Sequence, residues 1–234
     1  MSKGLVLFET TRSLKRLAVL FLILGLMGSA AKAEKWVTVY YESWIKWSPG
    51  GMDVDSIDFT TGTHWIWFSS DIASDGTIEP TRAGGSPDRL KAFCDSAHAH
   101  GRKAILGTGG WGADYTPAAS HPQTFGHSIA GFMRTAGFDG LDIDWEPVPT
   151  AQRTAYITMC RIVKDSIRSV NPNGLLTAAC FGFDQAQVDA RQYLDQINLM
   201  TYDIAGSWTR MTWHNNPVYD RDYLTPDNVT PGSI

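Results

Sequence analysis

Asp139-Gly140-Leu141-Asp142-Ile143-Asp144-Trp145-Glu146 is the stretch that decides the fold. Asp142, Asp144 and Glu146 stand at alternate positions, with Leu141, Ile143 and Trp145 between them. Side chains on a strand alternate between faces, so one face carries a row of carboxyls and the other is apolar. A buried unpaired charge costs several kcal/mol or shifts its pKa, so an ordinary core does not hold such a row. A strand end that aims a carboxyl at a substrate explains it; an edge strand with a solvated acidic face is the plainer alternative. Asp139 is one step out of phase with the other acids and reads as structural, capping a turn.

Outward from this stretch, strand-like and helix-like segments alternate. Residues 36–41, 64–69, 103–107, 175–179 and 197–202 read as strands beside the acidic one. Ser86 reads as an N-cap with Pro87 in the first turn, opening a helix through Leu90, Phe93, Ala97 and His100 that Gly101 stops. Residues 123–135 form a further helix, carrying Phe125, Ile129 and Phe132 inward. Thr150 is the expected cap of a helix with the stripe Tyr156, Cys160, Val163, Ile167 and Val170, ended by Asn171-Pro172-Asn173-Gly174. A short helix is expected over 187–193. This alternation predicts parallel strands joined by right-handed crossovers, hence an α/β fold. Of the two arrangements open to it, a doubly wound sheet or a (β/α)8 TIM barrel, the acidic strand favours the barrel. Its polar face suits a lumen and its apolar face suits packed helices. About six strand–helix units are present.

Gly107-Thr108-Gly109-Gly110-Trp111-Gly112 satisfies GxGxxG after a strand. A dinucleotide site needs a helix to begin there, so that its N-terminus meets the pyrophosphate. Ala113-Asp114-Tyr115-Thr116-Pro117 follows and reads as loop. The glycines fit better as places where backbone passes close to the lumen.

Composition narrows the partners. Lys3, Arg12, Lys15 and Arg16 precede an apolar run over 17–27, and Ala31-Lys32-Ala33 fits a small-x-small cleavage site. Residues 1–33 are therefore expected to be a signal peptide, with the rest secreted or periplasmic. That leader carries five Lys/Arg and one Asp/Glu, which leaves 15 bases, 23 acids and a formal net charge of −8 on residues 34–234. Without a basic stripe, nucleic acid is a poor partner, and no membrane association is expected after cleavage. Cys94, Cys160 and Cys180 lack CxxC spacing, and His98, His100, His121 and His127 lack metal spacing, so neither a metal nor another cofactor is expected. Cys160 reads as core packing, and pairing among the three stays open. Trp44, Trp111 and Trp208 fall near strand ends, where they could stack on sugar rings or simply be buried. Oligomeric state is not legible.

Residues 139–146 match in full the DxxDxDxE signature of the family 18 glycoside hydrolases, the chitinase family, which this chain resembles. Met200-Thr201-Tyr202-Asp203 is similar to that family's MxYD motif, and Tyr40-Tyr41-Glu42-Ser43-Trp44 to the end of its first strand. His214-Asn215-Asn216-Pro217-Val218-Tyr219 is similar to a later stretch. Two departures stand out. The family's SxGG is here Gly107-Thr108-Gly109-Gly110, with Gly in the Ser place, which implies a loss of local hydrogen bonding. The family barrel has eight strands, with a Trp from the last forming the floor of the sugar site. Here the last Trp is Trp213, and the 201 residues after the leader fall short of the roughly 250 of a full barrel, so strands 7 and 8 are expected to be missing.

The resemblance implies hydrolysis of β-1,4-linked N-acetylglucosamine polymers, chitin or chito-oligosaccharides, by a substrate-assisted retaining mechanism. Glu146 would be the general acid/base, its pKa raised by the charge of Asp144. Asp144 would orient the substrate's 2-acetamido group, whose oxygen attacks the anomeric carbon. Asp142 would share a proton or hydrogen bond with Asp144, and Tyr202 would donate to the acetamido oxygen. Met200 and Asp203 would line the same sugar site. Trp111, Tyr41, Phe68 and Trp208 are the expected stacking walls. Alternatives are an endo-β-N-acetylglucosaminidase on other glycans, a chitin-binding lectin-like protein and an inactive fragment. Retention of Glu146 argues against the lectin.

Overall fold

The computed structural model describes residues 35–80, 84–182, 184–209 and 214–216. The leader 1–33, Trp213 and residues 217–219 lie outside them.

The strands are β1 (Thr38–Glu42), β2 (His64–Ile72), a two-residue β3 (Ile78–Glu79), β4 (Lys103–Trp111), β5 (Gly140–Glu146), β6 (Leu175–Phe181) and β7 (Gln196–Met200). β1, β2, β4, β5, β6 and β7 are hydrogen-bonded neighbours in that order, all parallel; β3 pairs antiparallel with the end of β2. A doubly wound sheet reverses its strand order at a switch point. This one never reverses, and its first and last strands meet across the inner face. Gln196 Nε2 donates to Thr38 Oγ1 at 2.9 Å, and Asn198 Nδ2 to Tyr40 Oη at 3.0 Å. The α/β barrel expectation therefore holds, as six parallel strands of a (β/α)8 wall.

The helices are α1 (Pro87–Ala99), α2 (Thr116–Ser120), α3 (Pro122–Thr135), α4 (Arg153–Val170) and α5 (Gln185–Ala190). Ser86 Oγ accepts from Arg89 N–H, Pro87 opens α1, and Gly101 adopts φ +67° just past its end. Thr150 does not cap α4. It begins a 3-10 turn (Thr150–Gln152), and α4 follows from Arg153 without a side-chain cap. β4 runs four residues beyond the expected end, through the glycines to Trp111, and no helix opens at GxGxxG. β7 ends at Met200, two residues short of the expected end, which leaves Thr201 and Tyr202 beyond it.

The core lies between sheet and helices. Trp65 and Trp67 of β2, Leu106 of β4, Leu141 and Ile143 of β5 and Leu176 of β6 pack against Phe93, Phe125, Ile129, Tyr156, Cys160 and Val163. Each large apolar side chain so buried contributes about 1.5–3 kcal/mol. Asp142 and Asp144 project to the opposite face. Alternation on one strand thus commits odd residues to the core and even residues to the lumen.

Candidate active site

All parallel strands point their C-terminal ends to one edge, and β5 climbs to it with its acids graded by depth. Asp142 is fully buried, Asp144 is 3% exposed, and Glu146 at the strand end is half-buried. No cation is paired with any of the three among the described residues.

Asp142 is the best anchored. Its neighbours in register are Gly107 on β4 and Thr177 on β6. Tyr40 Oη donates to its Oδ2 at 3.0 Å; Thr177 Oγ1 and Asn198 Nδ2 donate to its Oδ1, the latter at 3.4 Å. Burial pushes its pKa up to about 6, against the pull of these hydroxyl and amide donors. Gly107 brings no hydroxyl, and a Cβ there would lie 2.8 Å from Ile66 Cγ2 and 2.9 Å from the Trp67 carbonyl. Thr177, on the other flank, supplies one instead.

Asp144 has the opposite surroundings. Its Oδ1 is buried without a hydrogen-bond partner. Burial, then the charge of Glu146, then that of Asp142 raise its pKa to about 8. No hydrogen bond joins Asp142 to Asp144, so the expected link between them acts through charge. Glu146 is raised by burial first and by the charge of Asp203 second. The repulsion between Glu146 and Asp144 shows itself at Asp144. Asp144 sits deeper, so its own charged form is the one disfavoured.

Asp203 stands in left-handed backbone at φ +57°, and Asn215 Nδ2 donates to its Oδ1 at 3.1 Å. Ile204 N–H donates to the Asn215 carbonyl, which ties residues 214–216 to the MxYD turn. Met200 is buried at the end of β7, while Tyr202 is 47% exposed. The Tyr202 hydroxyl is raised by burial and then by the charges of Asp144, Glu146, Asp203 and Glu42.

The expected stacking walls divide. Phe68 faces the lumen, edge-on to Tyr40 at 5.7 Å and tilted against Trp44 at 5.9 Å. Trp111, 79% exposed, pairs with Glu146 in register and joins it in lining a cavity of about 120 Å³ with Trp145, Phe181, Asp184 and Gln187. Trp208 is 63% exposed on the loop after β7. Tyr41 is not a wall. It is 5% exposed on the helix side, packed on Trp67 and Phe93, with its hydroxyl between the Met52 carbonyl and Arg89. Alternation on β1 sends Tyr40 inward and Tyr41 outward. Two adjacent tyrosines gave no local signal of phase. The residues missed altogether are Thr177, the lone polar position before the end of an apolar strand, and Asn198, which alternates with Gln196 on β7; those patterns could have marked them as lumen-facing.

Asp139 is structural, as its phase suggested. It accepts from Ala104 N–H at 2.9 Å and pairs with Lys103 and His98, each at 2.8 Å. The three cysteines are buried and unpaired. Among the described residues no group of three or more His, Cys, Asp or Glu could hold a metal ion, and no helix is long and apolar enough to cross a membrane.

Comparison with known proteins agrees with this geometry. The profile of glycosyl hydrolases family 18 matches residues 36–231. Chitotriosidase-1 of Mus musculus is 36% identical over 141 residues, 51% of this chain and 30% of that protein. Chitinase 1 of Aphanocladium album is 37% identical over 134 residues, 50% of this chain and 32% of that protein. The crystal structure of Ostrinia furnacalis Group IV chitinase in complex with allosamidin superposes with a TM-score of 0.73 at 26% identity, covering 84% of this chain and 59% of that one. The matches thus span about a third of these two curated relatives and under two thirds of the solved one.

Proposed function

The chain belongs to the family 18 glycosyl hydrolases, and on that premise we propose that it hydrolyses β-1,4-linked N-acetylglucosamine chains, chitin or its oligosaccharides. The observation that carries this reading is the graded row Asp142, Asp144, Glu146 at the C-terminal edge of a parallel sheet, with no cation paired to it among the described residues. Glu146, nearest the mouth and raised in pKa, gives its proton to the leaving glycosidic oxygen and later takes one from water. The carbonyl oxygen of the substrate's 2-acetamido group attacks the anomeric carbon, so no enzyme carboxylate need do so. Asp144 orients that acetamido group. Burial keeps it largely protonated below about pH 8, and positive charge growing on the sugar draws out its ionised form. Asp142, held by Tyr40, Thr177 and Asn198, fixes the floor beneath it. Tyr202 donates to the acetamido oxygen, and Met200 and Asp203 line the same sugar. Trp111 offers an exposed indole face beside Glu146 for the sugar on the leaving side.

A protein that only binds the sugar has no use for a raised carboxyl at the mouth, so retention of Glu146 supports hydrolysis. The same proposal takes residues 1–33 as a cleaved signal peptide and the remainder as exported; N-terminal sequencing of the secreted chain tests this. The enzymatic test is fluorophore release from a chitobiose or chitotriose conjugate by the purified chain, with Glu146→Gln as control. Turnover in the wild type and none in the variant is the expected result. Equal turnover in both sinks the assignment.

A further inference from the structure

A tyrosine hydroxyl sits inside the β4–β5 ladder beside the middle acid. Thr108 pairs with Ile143 in register. Parallel pairing at that step brings the Thr108 carbonyl toward the amide of the next residue, Asp144. The hydroxyl of Tyr115 lies between these two groups. It donates to the Thr108 carbonyl at 2.6 Å and accepts from Asp144 N–H at 3.1 Å. Thr108 Oγ1 stands 3.0 Å from the same hydroxyl and 3.2 Å from the Asp142 carbonyl. The peptide groups on both sides of Ile143 are therefore held by hydroxyls from outside β5.

The rest of the neighbourhood is built around this insertion. Tyr115 is fully buried, and its ring stacks on Trp145 at 5.0 Å between centroids and 10° between planes. Gly109 makes the space. A Cβ there would fall 2.5 Å from the Tyr115 oxygen and 2.3 Å from the Asp144 carbonyl, and its φ of +96° suits only glycine. Packing alone would be served by a phenylalanine ring. The hydroxyl spends both its bonding directions on the two strands, at an acid whose carboxyl has a buried oxygen without a hydrogen-bond partner. Nothing on the side chain of Asp144 fixes its Oδ1, so its backbone must.

We propose that Tyr115 is a positioning residue, whose hydroxyl sets the height of Asp144 between Asp142 and Glu146 by bridging the β4 and β5 main chains. The effect is on chemistry rather than on affinity, and it rests on Asp144 acting in the reaction proposed above. Tyr115→Phe in the full chain tests it. The fold, read by circular dichroism, and chitotriose binding should be unchanged. Hydrogen exchange at the Asp144 amide should speed about tenfold or more, while that at Leu141 stays as it was. Turnover of the chitotriose conjugate should fall about tenfold in kcat with KM unchanged, and the titration of the Asp144 carboxyl, followed by NMR, should move. Unchanged exchange and titration at Asp144 would overturn the proposal, as would unchanged kcat. If the wild type itself does not turn over, the functional reading fails, while exchange and titration still decide for or against the bridge. Should Tyr115→Phe not fold, the wild type decides: a slowly exchanging Tyr115 hydroxyl proton with an NMR cross-peak to the Asp144 amide supports the bridge, and its absence overturns it.

Discussion

At the N-terminal edge of the sheet, Asp139 and Asp195 each stand just before a strand, and each accepts an amide from the strand alongside, Ala104 N–H and Leu176 N–H. Lys103 and His98 pair with the first, Lys164 and Arg168 with the second. At the C-terminal edge, Asp142, Asp144 and Glu146 are buried to differing depths, with no cation paired to them among the described residues. Their partners are hydroxyls and an amide at Asp142, and Oδ1 of Asp144 has none at all. The same side chain thus does two jobs on one sheet. Given cations and amides, a carboxylate staples the start of strands together. Deprived of them, it holds its proton more tightly, because desolvation disfavours the charge. The difference separates the part of the molecule that holds the fold from the part able to do acid–base chemistry.

The contrast can be broken most sharply at Glu146. Glu146→Gln should lower hydrolysis of chito-oligosaccharides by about 10²–10⁴-fold, the usual span of general-acid catalysis, while titration with chitotriose shows binding retained. Asp144→Asn comes next, with kcat down by about 10²–10³-fold, as expected when a charge-stabilising group is removed. The same variant sharpens the comparison through stability. The pKa of Asp144 is raised from 3.8 to about 8, so between those values the folded state binds more protons than the unfolded state. Stability then falls as pH rises from about 4 through about 8. Asp144→Asn should therefore be more stable than wild type at pH 8–9 by a few kcal/mol in urea unfolding, with the difference closing toward pH 4. Asp139→Ala gives the smallest and opposite effect. It leaves the Ala104 amide and Lys103 without their acceptor and should cost about 1–3 kcal/mol of stability, with kcat unchanged in assays below the unfolding range. If Asp139→Ala instead cut kcat as Asp144→Asn does, the division between the two edges would not stand.

The sequence carried most of the fold because alternation and capping are local. Ser86, Pro87 and Gly101 bound one helix by their own chemistry, and the period-two pattern over 139–146 declared which face of β5 meets the lumen. Thr150 misled because it opens a 3-10 turn ahead of the helix, a matter of one turn's geometry that residue type does not fix. At the site, the acids were legible because desolvation keeps a row of carboxyls out of any ordinary core. Their partners were not. Tyr40 and Tyr41 are chemically alike neighbours, and only pairing of Tyr40 with Ile66 and of Tyr41 with Trp67 assigns them to opposite faces. Asn198 reaches Tyr40 and Asp142 only because the curved sheet brings its first and last strands together, a contact across 158 residues to Tyr40 that no local pattern encodes. The second cause of Glu146's raised pKa, after burial, is equally remote in sequence, since Asp203 lies in the turn beyond β7.

The most direct measurement is a titration of the aspartate carboxyl carbons by NMR in the full chain, with Asp142→Asn and Asp144→Asn to assign the signals. Two carboxyls titrating near 6 and near 8, the higher one absent in Asp144→Asn, is the result that cation-free burial at the C-terminal edge requires. Both groups titrating below about 5, in the range of solvated aspartates, would contradict it.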